Sequence, residues 1–277
     1  MKPWIAGLAV LALSSAALAA VQSAEPAGKH SAALSAAAAA STRTDTNRAR
    51  DKYRHPQETL AFFGVEPDDT VVEIWPGGGW YTEILAPYLR SGGGKLYAAA
   101  PLDWGVEGIT KLKAANPALY GSVQVADFPV FDGKAVQVPD GTADAVLTFR
   151  NVHNWRMGYR REGKPDYSLA AFKQMYAMLK PGGVLGIEDH RLPESADAER
   201  ERSSGYIKVS TVRRLAEQAG FRLAASSEAN ANPKDSADWP DGVWTLPPTL
   251  TLDDKDREKY LAIGESDRMT LKFVKPR

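Results

Sequence analysis

The segment Thr70–Thr82 most constrains how this chain can fold, because an apolar run ends there in three glycines and continues into the amphipathic segment Tyr81–Leu89. The β-rich residues Thr70–Trp75 predict a buried strand, and the amphipathic spacing predicts a helix. Glycines let the backbone approach a ligand closely, and the free N–H groups of a helix N-terminus attract anionic groups. A plain strand-to-helix turn is the alternative. Glu73 on the strand favours the ligand site, because its buried charge needs a partner.

Apolar runs of the same kind recur along the chain, with helical patterns between most of them. They are Thr70–Trp75, Lys95–Ala100, Val123–Ala126, Ala143–Phe149, Val184–Glu188, Phe221–Ala225 and Thr270–Val274. Helical spacing is clearest over Leu169–Leu179 and Val212–Ala219. Strands that alternate with helices form a mostly parallel sheet covered on both faces, so the sequence predicts a seven-stranded α/β domain.

The first residues have the order of a cleavable export signal. Lys2 supplies the positive charge, Trp4–Leu13 the apolar core, and Ala17–Ala19 a small-residue cleavage site. Residues 1–19 are therefore predicted to be a signal peptide and the mature protein to be periplasmic. A retained anchor is the alternative, but the apolar run is shorter than the ~20 residues of a spanning helix, and we expect no stable membrane insertion after cleavage.

An Ala- and Ser-rich segment follows the predicted signal. Residues 20–46 hold almost no large apolar side chains, which predicts a flexible linker, although a frayed helix over Ala32–Ala40 is the rival interpretation. Folded structure is predicted for residues 47–277.

The amino-acid composition limits the kinds of partner that this chain can bind. The chain has 34 basic and 34 acidic residues among 277, so no electrostatic case exists for nucleic acid or an anionic membrane surface. This balance favours a small-molecule or protein partner. The absence of cysteine excludes disulfides, thiolate nucleophiles and thiolate metal sites.

Polar residues concentrate where the predicted strands end, which is where ligands bind to such sheets. They are Gly77, Gly78 and Gly79 after the first strand, Asp127 after the third, Arg150–Trp155 after the fourth, and Glu188–Arg191 after the fifth. A dinucleotide fingerprint G-x-G-x-x-G is matched only in part, because Thr82 stands at its third glycine.

The acid Glu73, the glycine loop, the acid after the third strand, the Leu-Lys-Pro-Gly-Gly turn before the fifth strand and the late last strand form a different set. Together they resemble the class I S-adenosylmethionine-dependent methyltransferases, and within them an exported "predicted methyltransferase" family with the pattern Pro-Gly-x-Gly-Trp-Tyr. The most specific segments are Trp75–Thr82, Arg150–Trp155, Glu188–Arg191 and Ile263–Pro276. The resemblance implies the Rossmann-like class I methyltransferase fold, roughly over Arg48–Arg277.

The resemblance also implies cofactor contacts. Glu73 and Gly77–Gly79 would hold the amino acid part of S-adenosylmethionine, and Asp127 would meet its adenine. Two positions depart from the family pattern: Trp75 stands at the first glycine, and Ala98–Ala100 replaces the acid that binds the ribose. Asp103 is the nearest acid that could serve instead.

His153 and His190 follow different strands and are predicted to converge near a substrate, with Asp189 orienting an imidazole as general base. Structural hydrogen bonds, or a metal site formed by these three residues without a recognised spacing motif, are the alternatives. Arg150 and Arg191 either clamp an anionic substrate or pair with acids such as Glu188.

Three aromatic residues and one charged segment are predicted to have mainly structural roles. The aromatic residues Trp80, Tyr81 and Trp155 are core by default, although one of them could line the pocket. The segment Glu265–Arg268 is interpreted as a charged turn network.

The predicted activity is methyl transfer from S-adenosylmethionine to a small or envelope-associated acceptor. A periplasmic binding protein that keeps the fold without the reaction is the first alternative, which Trp75 and the missing ribose acid favour. A metal-assisted hydrolase built on His153, Asp189 and His190 is the second.

Overall fold

The computed structural model describes residues 29–131 and 136–277, so the predicted signal peptide lies outside the described residues. One sheet organises the chain, in the order β3-β2-β1-β4-β5-β8-β7, with the short β6 beside the end of β5. Its strands are β1 Thr70–Ile74, β2 Lys95–Ala99, β3 Gln124–Ala126, β4 Ala143–Phe149, β5 Leu179–Leu192, β6 Ile207–Lys208, β7 Arg222–Ser227 and β8 Arg268–Val274. Strand β8 runs antiparallel to β5 and β7, and the other neighbouring strands are parallel.

Helices cover both faces of the sheet. They are α1 Lys29–Ala38, α2 Asp45–Arg48, α3 Asp51–Arg54, α4 Pro56–Phe63, α5 Thr82–Arg90, α6 Glu107–Ala115, α7 Pro117–Tyr120, α8 Val152–Arg156, α9 Ser168–Met178, α10 Val209–Ala219 and α11 Arg257–Ile263. One apolar core packs α9 and α10 against the sheet, and a second packs α1, α4 and α5 against the other face. Within the described ranges, no helix is both long and apolar enough to span a bilayer.

The mostly parallel α/β sheet predicted from the alternating patterns is confirmed. The strand bounds agree within a few residues, except that β5 is longer at both ends than the predicted Val184–Glu188. It begins at Leu179 and includes Pro181–Gly183, which was predicted as a turn, and it continues to Leu192, beyond the residues that were predicted to follow the strand. Gly182 N–H donates to Lys275 O at 2.8 Å, so this segment extends the pairing of β5 with the end of the chain. The eighth strand, β6, has only two residues and was not predicted.

The Ala-rich segment packs onto the domain over its described part. Residues Lys29–Ala38 form helix α1, so the rival interpretation of a helix is what the structure shows there. Leu34 and Ala38 are buried in the same core as α5. Small alanine side chains allow this close packing and also favour helix formation.

The connection after α1 is fixed by Arg43. Its guanidinium donates to Ala38 O at 2.6 Å and to the Asp51 carboxylate at 2.7 and 2.8 Å. It also lies over the Trp80 ring, 5.1 Å from the centroid. Residues 39–54 are thereby held beside the glycine loop.

Candidate functional site

The order of the strands in the sheet reverses between β1 and β4, because β2 and β3 lie on one side of β1 and β4 and β5 on the other. A cavity of about 670 Å³ opens at the carboxyl ends of these two strands. We call it the loop cavity. Its walls include Gly77 and Gly78 on the glycine loop, Asn151 after β4, Trp104 after β2 and Gly108 on α6. A switch point of this kind is where open α/β sheets bind their ligands.

The glycines of the loop are needed for two different reasons, an open backbone at Gly77 and Gly78 and the close packing of α6 at Gly79. Gly77 has a φ of 58°, which favours glycine, and a Cβ atom at Gly78 would meet no atom within 4 Å, so the loop backbone is open to the cavity side. A Cβ at Gly79 would lie 2.4 Å from Leu112 Cδ1, and one at Gly108 would lie 2.2 Å from Gly77 O. Helix α6 therefore packs directly on the loop, and only part of the loop is free for a ligand.

Glu73 lies behind the loop. Its side chain is buried at 2% exposure and accepts a hydrogen bond from the Thr82 hydroxyl at 2.5 Å. Burial raises the pKa of Glu73 to about 7, although the Thr82 hydrogen bond and the Arg150 charge act in the opposite direction. In this structure the partner of Glu73 is a hydroxyl on α5, and its proposed contact with a cofactor stays a prediction.

Trp75 has a strained position between two cavities. Its φ is 50°, and its indole Nε1 donates to Phe128 O at 3.0 Å. The ring makes edge contacts with Trp104 and Trp155, at centroid distances of 5.0 and 5.9 Å. Trp75 and Trp104 line both the loop cavity and a second cavity of about 430 Å³, so they form a wall between the two.

This second cavity, the aromatic cavity, contains Asp103 and Asp127 among its lining residues, together with Phe131 and Tyr159. Asp127 accepts from the Leu102 N–H at 3.3 Å. The acids proposed for ribose and adenine therefore share one cavity, and the glycines border the other. That the glycines and these two acids bind one cofactor stays a prediction.

The three predicted catalytic residues meet at the ends of β4 and β5. His153 Nδ1 lies 2.7 Å from Asp189 Oδ1, and the His153 backbone N–H donates to Asp189 Oδ2 at 3.1 Å. The His190 N–H donates to Asp189 Oδ1 at 2.8 Å. Both carboxylate oxygens are thus engaged by N–H donors, an arrangement that fits a carboxylate orienting an imidazole.

His190 is held by its other neighbours. Its Nδ1 lies 2.5 Å from Ser266 Oγ, and its ring centroid is 5.0 Å from that of His153. Burial, followed by the charges of His153 and Arg150, lowers the pKa of His190 well below its usual range, so the ring is neutral. The cluster His153, Asp189 and His190 also offers three ligand atoms within 4.8 Å of one another, which is the geometry that the metal alternative needs.

Beside the histidines lies a third cavity of about 240 Å³, which we call the arginine cavity. Its walls include Arg50, Arg54, Arg150, His153, His190 and Glu265. The Glu265 carboxylate accepts from Arg50 Nε at 2.6 Å and Arg54 Nε at 3.1 Å. Arg268 Nη1 lies 2.9 Å from Glu188 Oε1 and 3.3 Å from Glu265 Oε2.

Burial and the crowding of positive charges shift the pKa values of the side chains in this network. Burial, reinforced by the nearby Arg150, lowers the pKa of Arg54 to about 8. Burial also lowers the pKa of Arg150. For Glu265, burial alone acts to raise the pKa, but the Arg54 and Arg268 charges outweigh it and bring the pKa to about 2.

The two arginines considered in the sequence have different surroundings. Arg191 makes a bidentate pair with Asp267, with both distances 2.8 Å, and also pairs with Glu228. It is therefore paired with acids, as one of the two interpretations expected, but its partners are not Glu188, the acid named there. Arg150 lines the arginine cavity instead.

Sequence reasoning missed Arg50, Arg54 and Trp104, and it interpreted Glu265 as part of a turn network. The available signal was the group of arginines between residues 43 and 54, where basic side chains outnumber acidic ones. The aromatic residues Trp80, Tyr81 and Trp155 are all buried in the core.

No protein-family model matches this chain, and its sequence matches no curated protein. The sheet order and the reversed last strand give the chain the fold of the class I S-adenosylmethionine-dependent methyltransferases.

Solved structures with this fold include a SAM-dependent methyltransferase from Aquifex aeolicus, with 17% identity, a TM-score of 0.52, and coverage of 82% of this chain and 93% of that one. A candidate sarcosine dimethylglycine methyltransferase from Galdieria sulphuraria has 14% identity, a TM-score of 0.53, and coverage of 81% and 84%. The [4+2]-cyclase SpnF has 14% identity, a TM-score of 0.52, and coverage of 80% of each chain. At these identities the likeness concerns the fold, and SpnF is named for a different reaction.

Proposed function

We propose that this protein binds S-adenosylmethionine at the glycine loop and transfers its methyl group to a small-molecule acceptor. The observation that carries the proposal is the loop cavity, which lies at the switch point of a class I methyltransferase fold beside the open backbone of Gly77 and Gly78. The periplasmic location, which depends on residues 1–19, is part of the same proposal.

The residues of the loop cavity suit the amino acid end of the cofactor. Backbone N–H groups at Gly77 and Gly78 offer donors to a carboxylate without side chains in the way. Asn151 Nδ2 donates to Ile74 O at 2.9 Å and to Thr148 Oγ1 at 3.2 Å, so it fixes the ends of β1 and β4 against each other.

When bound, S-adenosylmethionine would supply an electrophilic methyl group: an acceptor atom would form a bond to the methyl carbon in line with the breaking carbon–sulfur bond, and S-adenosylhomocysteine would leave. The turn after β4 connects the two parts of the proposed site, because Asn151 lines the loop cavity and Arg150 and His153 line the arginine cavity. Donation of His153 Nδ1–H to Asp189 leaves Nε2 as the basic nitrogen. We assign His153 the removal of the proton from the acceptor hydroxyl or amine, with Asp189 as its positioning residue.

The test is calorimetric titration of the protein with S-adenosylmethionine and S-adenosylhomocysteine. Gly78→Leu places a branched side chain in the open space beside the loop, whereas Gly78→Ala adds a single methyl group there and serves as the matched control. We expect micromolar binding to the wild type and the alanine variant, and loss of binding in the leucine variant. An absence of binding to the wild type at millimolar ligand would refute the proposal.

A binding protein without methyl transfer is the second candidate, and the position of Trp75 favours it. The Trp75 and Trp104 wall separates the glycines from Asp103 and Asp127. Binding of adenosine or of an apolar ligand, with no binding of S-adenosylmethionine, would support this candidate.

A further inference from the structure

We infer that the arginine cavity is a binding site for a phosphate monoester group. Three guanidinium groups on its walls each have a buried nitrogen without a hydrogen-bond partner among the described residues. These atoms are Arg50 Nη2, Arg54 Nη1 and Arg150 Nη1. A buried donor left without a partner costs free energy, and a charged donor costs more. Three such donors, on side chains that all line one cavity, indicate that an anion completes the site.

The charges of the cluster lead to the same conclusion. Arg50, Arg54, Arg150 and Arg268 face the carboxylates of Glu188 and Glu265, which leaves two positive charges in excess. Asp189 is a further acid close by, and counting it still leaves one excess positive charge; its oxygens are already engaged by N–H donors of His153 and His190. A desolvated cluster of one sign is stabilised by a ligand of the other sign.

The arrangement of donors favours phosphate over carboxylate. The three unpartnered nitrogens come from three side chains, of which Arg50 and Arg54 belong to the segment before α4 and Arg150 to the turn after β4. A carboxylate has two oxygens in one plane and one charge, whereas a phosphate monoester offers three terminal oxygens in different directions and nearly two charges. Arginine is the side chain best suited to such contacts.

Two histidines border the proposed anion site. His153 and His190 line the same cavity, and the Nδ1 atoms of both rings are engaged, by Asp189 and by Ser266. A hydroxyl or amine carried by a phosphate-bearing molecule would thus lie next to the proposed base. As a statement about the methyl acceptor, this inference rests on the proposed function; as a statement about an anion site, it stands without it.

The experiment measures binding of inorganic phosphate to the protein without cofactor, by calorimetry and by thermal unfolding, with acetate as the planar monoanion. The test variant is Arg150→Met, because Arg150 Nη1 has no hydrogen-bond partner within the described part of the chain, so the substitution removes chiefly the longer-range attraction to acids such as Glu188. Arg191→Met is the control, since Arg191 is paired with Asp267 and Glu228 outside the cavity.

We expect submillimolar binding of phosphate, at least tenfold weaker binding of acetate, and at least a tenfold loss of phosphate affinity in Arg150→Met but not in Arg191→Met. Thermal unfolding without phosphate checks that both variants are folded. Wild-type protein that fails to bind phosphate at about 20 mM, equal binding of acetate, or unchanged binding in Arg150→Met would each overturn the inference. Because no S-adenosylmethionine is present, failure here is distinct from failure of the proposed methyl transfer.

Discussion

Glu73→Gln is expected to stabilise the protein at alkaline pH. The Glu73 carboxyl is buried against Thr82, and its pKa rises from 4.5 to about 7 because burial disfavours the charged form. Below pH 4.5 the folded and unfolded states both hold the proton, so the group contributes no pH dependence. Between pH 4.5 and 7 only the folded state holds it, so stability falls as pH rises through this window.

The magnitude follows from that shift. At about 1.4 kcal/mol for each pKa unit, the change from 4.5 to about 7 corresponds to about 3 to 4 kcal/mol of stability lost above pH 7. Glutamine has nearly the same shape, has no ionisation to lose, and can still accept from the Thr82 hydroxyl through its Oε1 atom.

The assay is urea unfolding of wild type and Glu73→Gln at pH 4.5 and pH 8, with the slope of free energy against urea compared as a check on two-state behaviour. We expect the variant to be more stable by up to about 3 to 4 kcal/mol at pH 8, and by much less at pH 4.5. Glu58→Gln, on the exposed face of α4, is the control and should change stability little at either pH. A variant that is equally stable or less stable than wild type at pH 8 would refute the reasoning.

Three further outcomes are expected. Trp75→Gly removes the wall between the loop and aromatic cavities at a φ of 50°, so it should cost about 3 kcal/mol in urea unfolding but tighten S-adenosylmethionine binding in calorimetry. Asp189→Asn should lower kcat roughly 100-fold or more and alter its pH profile, with cofactor affinity unchanged, because His153 loses its orientation. Glu265→Gln should lose about 3 kcal/mol at pH 7, since its pKa is lowered from 4.5 to about 2, and the loss should shrink as pH falls toward 2. Equal losses at pH 7 and pH 2.5 would contradict the last.

Much of the fold could be predicted because its signals are local. Each strand is an apolar run between turn residues, and β4 was predicted with its observed bounds, Ala143–Phe149. The meeting of His153 with Asp189 and His190 was also predictable, because neighbouring parallel strands end at the same edge of a sheet.

The remaining features depend on contacts that no local pattern contains. The partner of Glu73 is the Thr82 hydroxyl across the glycine loop, and the Trp75 ring is placed by Phe128, on a segment far along the chain. The arginine cavity escaped prediction because Arg50 and Arg54 look like an ordinary charged surface until Glu265 is placed beside them. For the Ala-rich segment, composition left helix and linker open, and burial of Leu34 and Ala38 against the core accounts for the helix.

The arginine cavity also joins the two ends of the described chain. Arg50 and Arg54 reach Glu265 across 215 and 211 residues. Glu265 comes three residues before β8 begins, so its position depends on the pairing of β8 with β5 and β7. A chain whose last strand is detached therefore lacks the complete cavity, and the proposed ligand would distinguish the fully assembled sheet from a partly unfolded one.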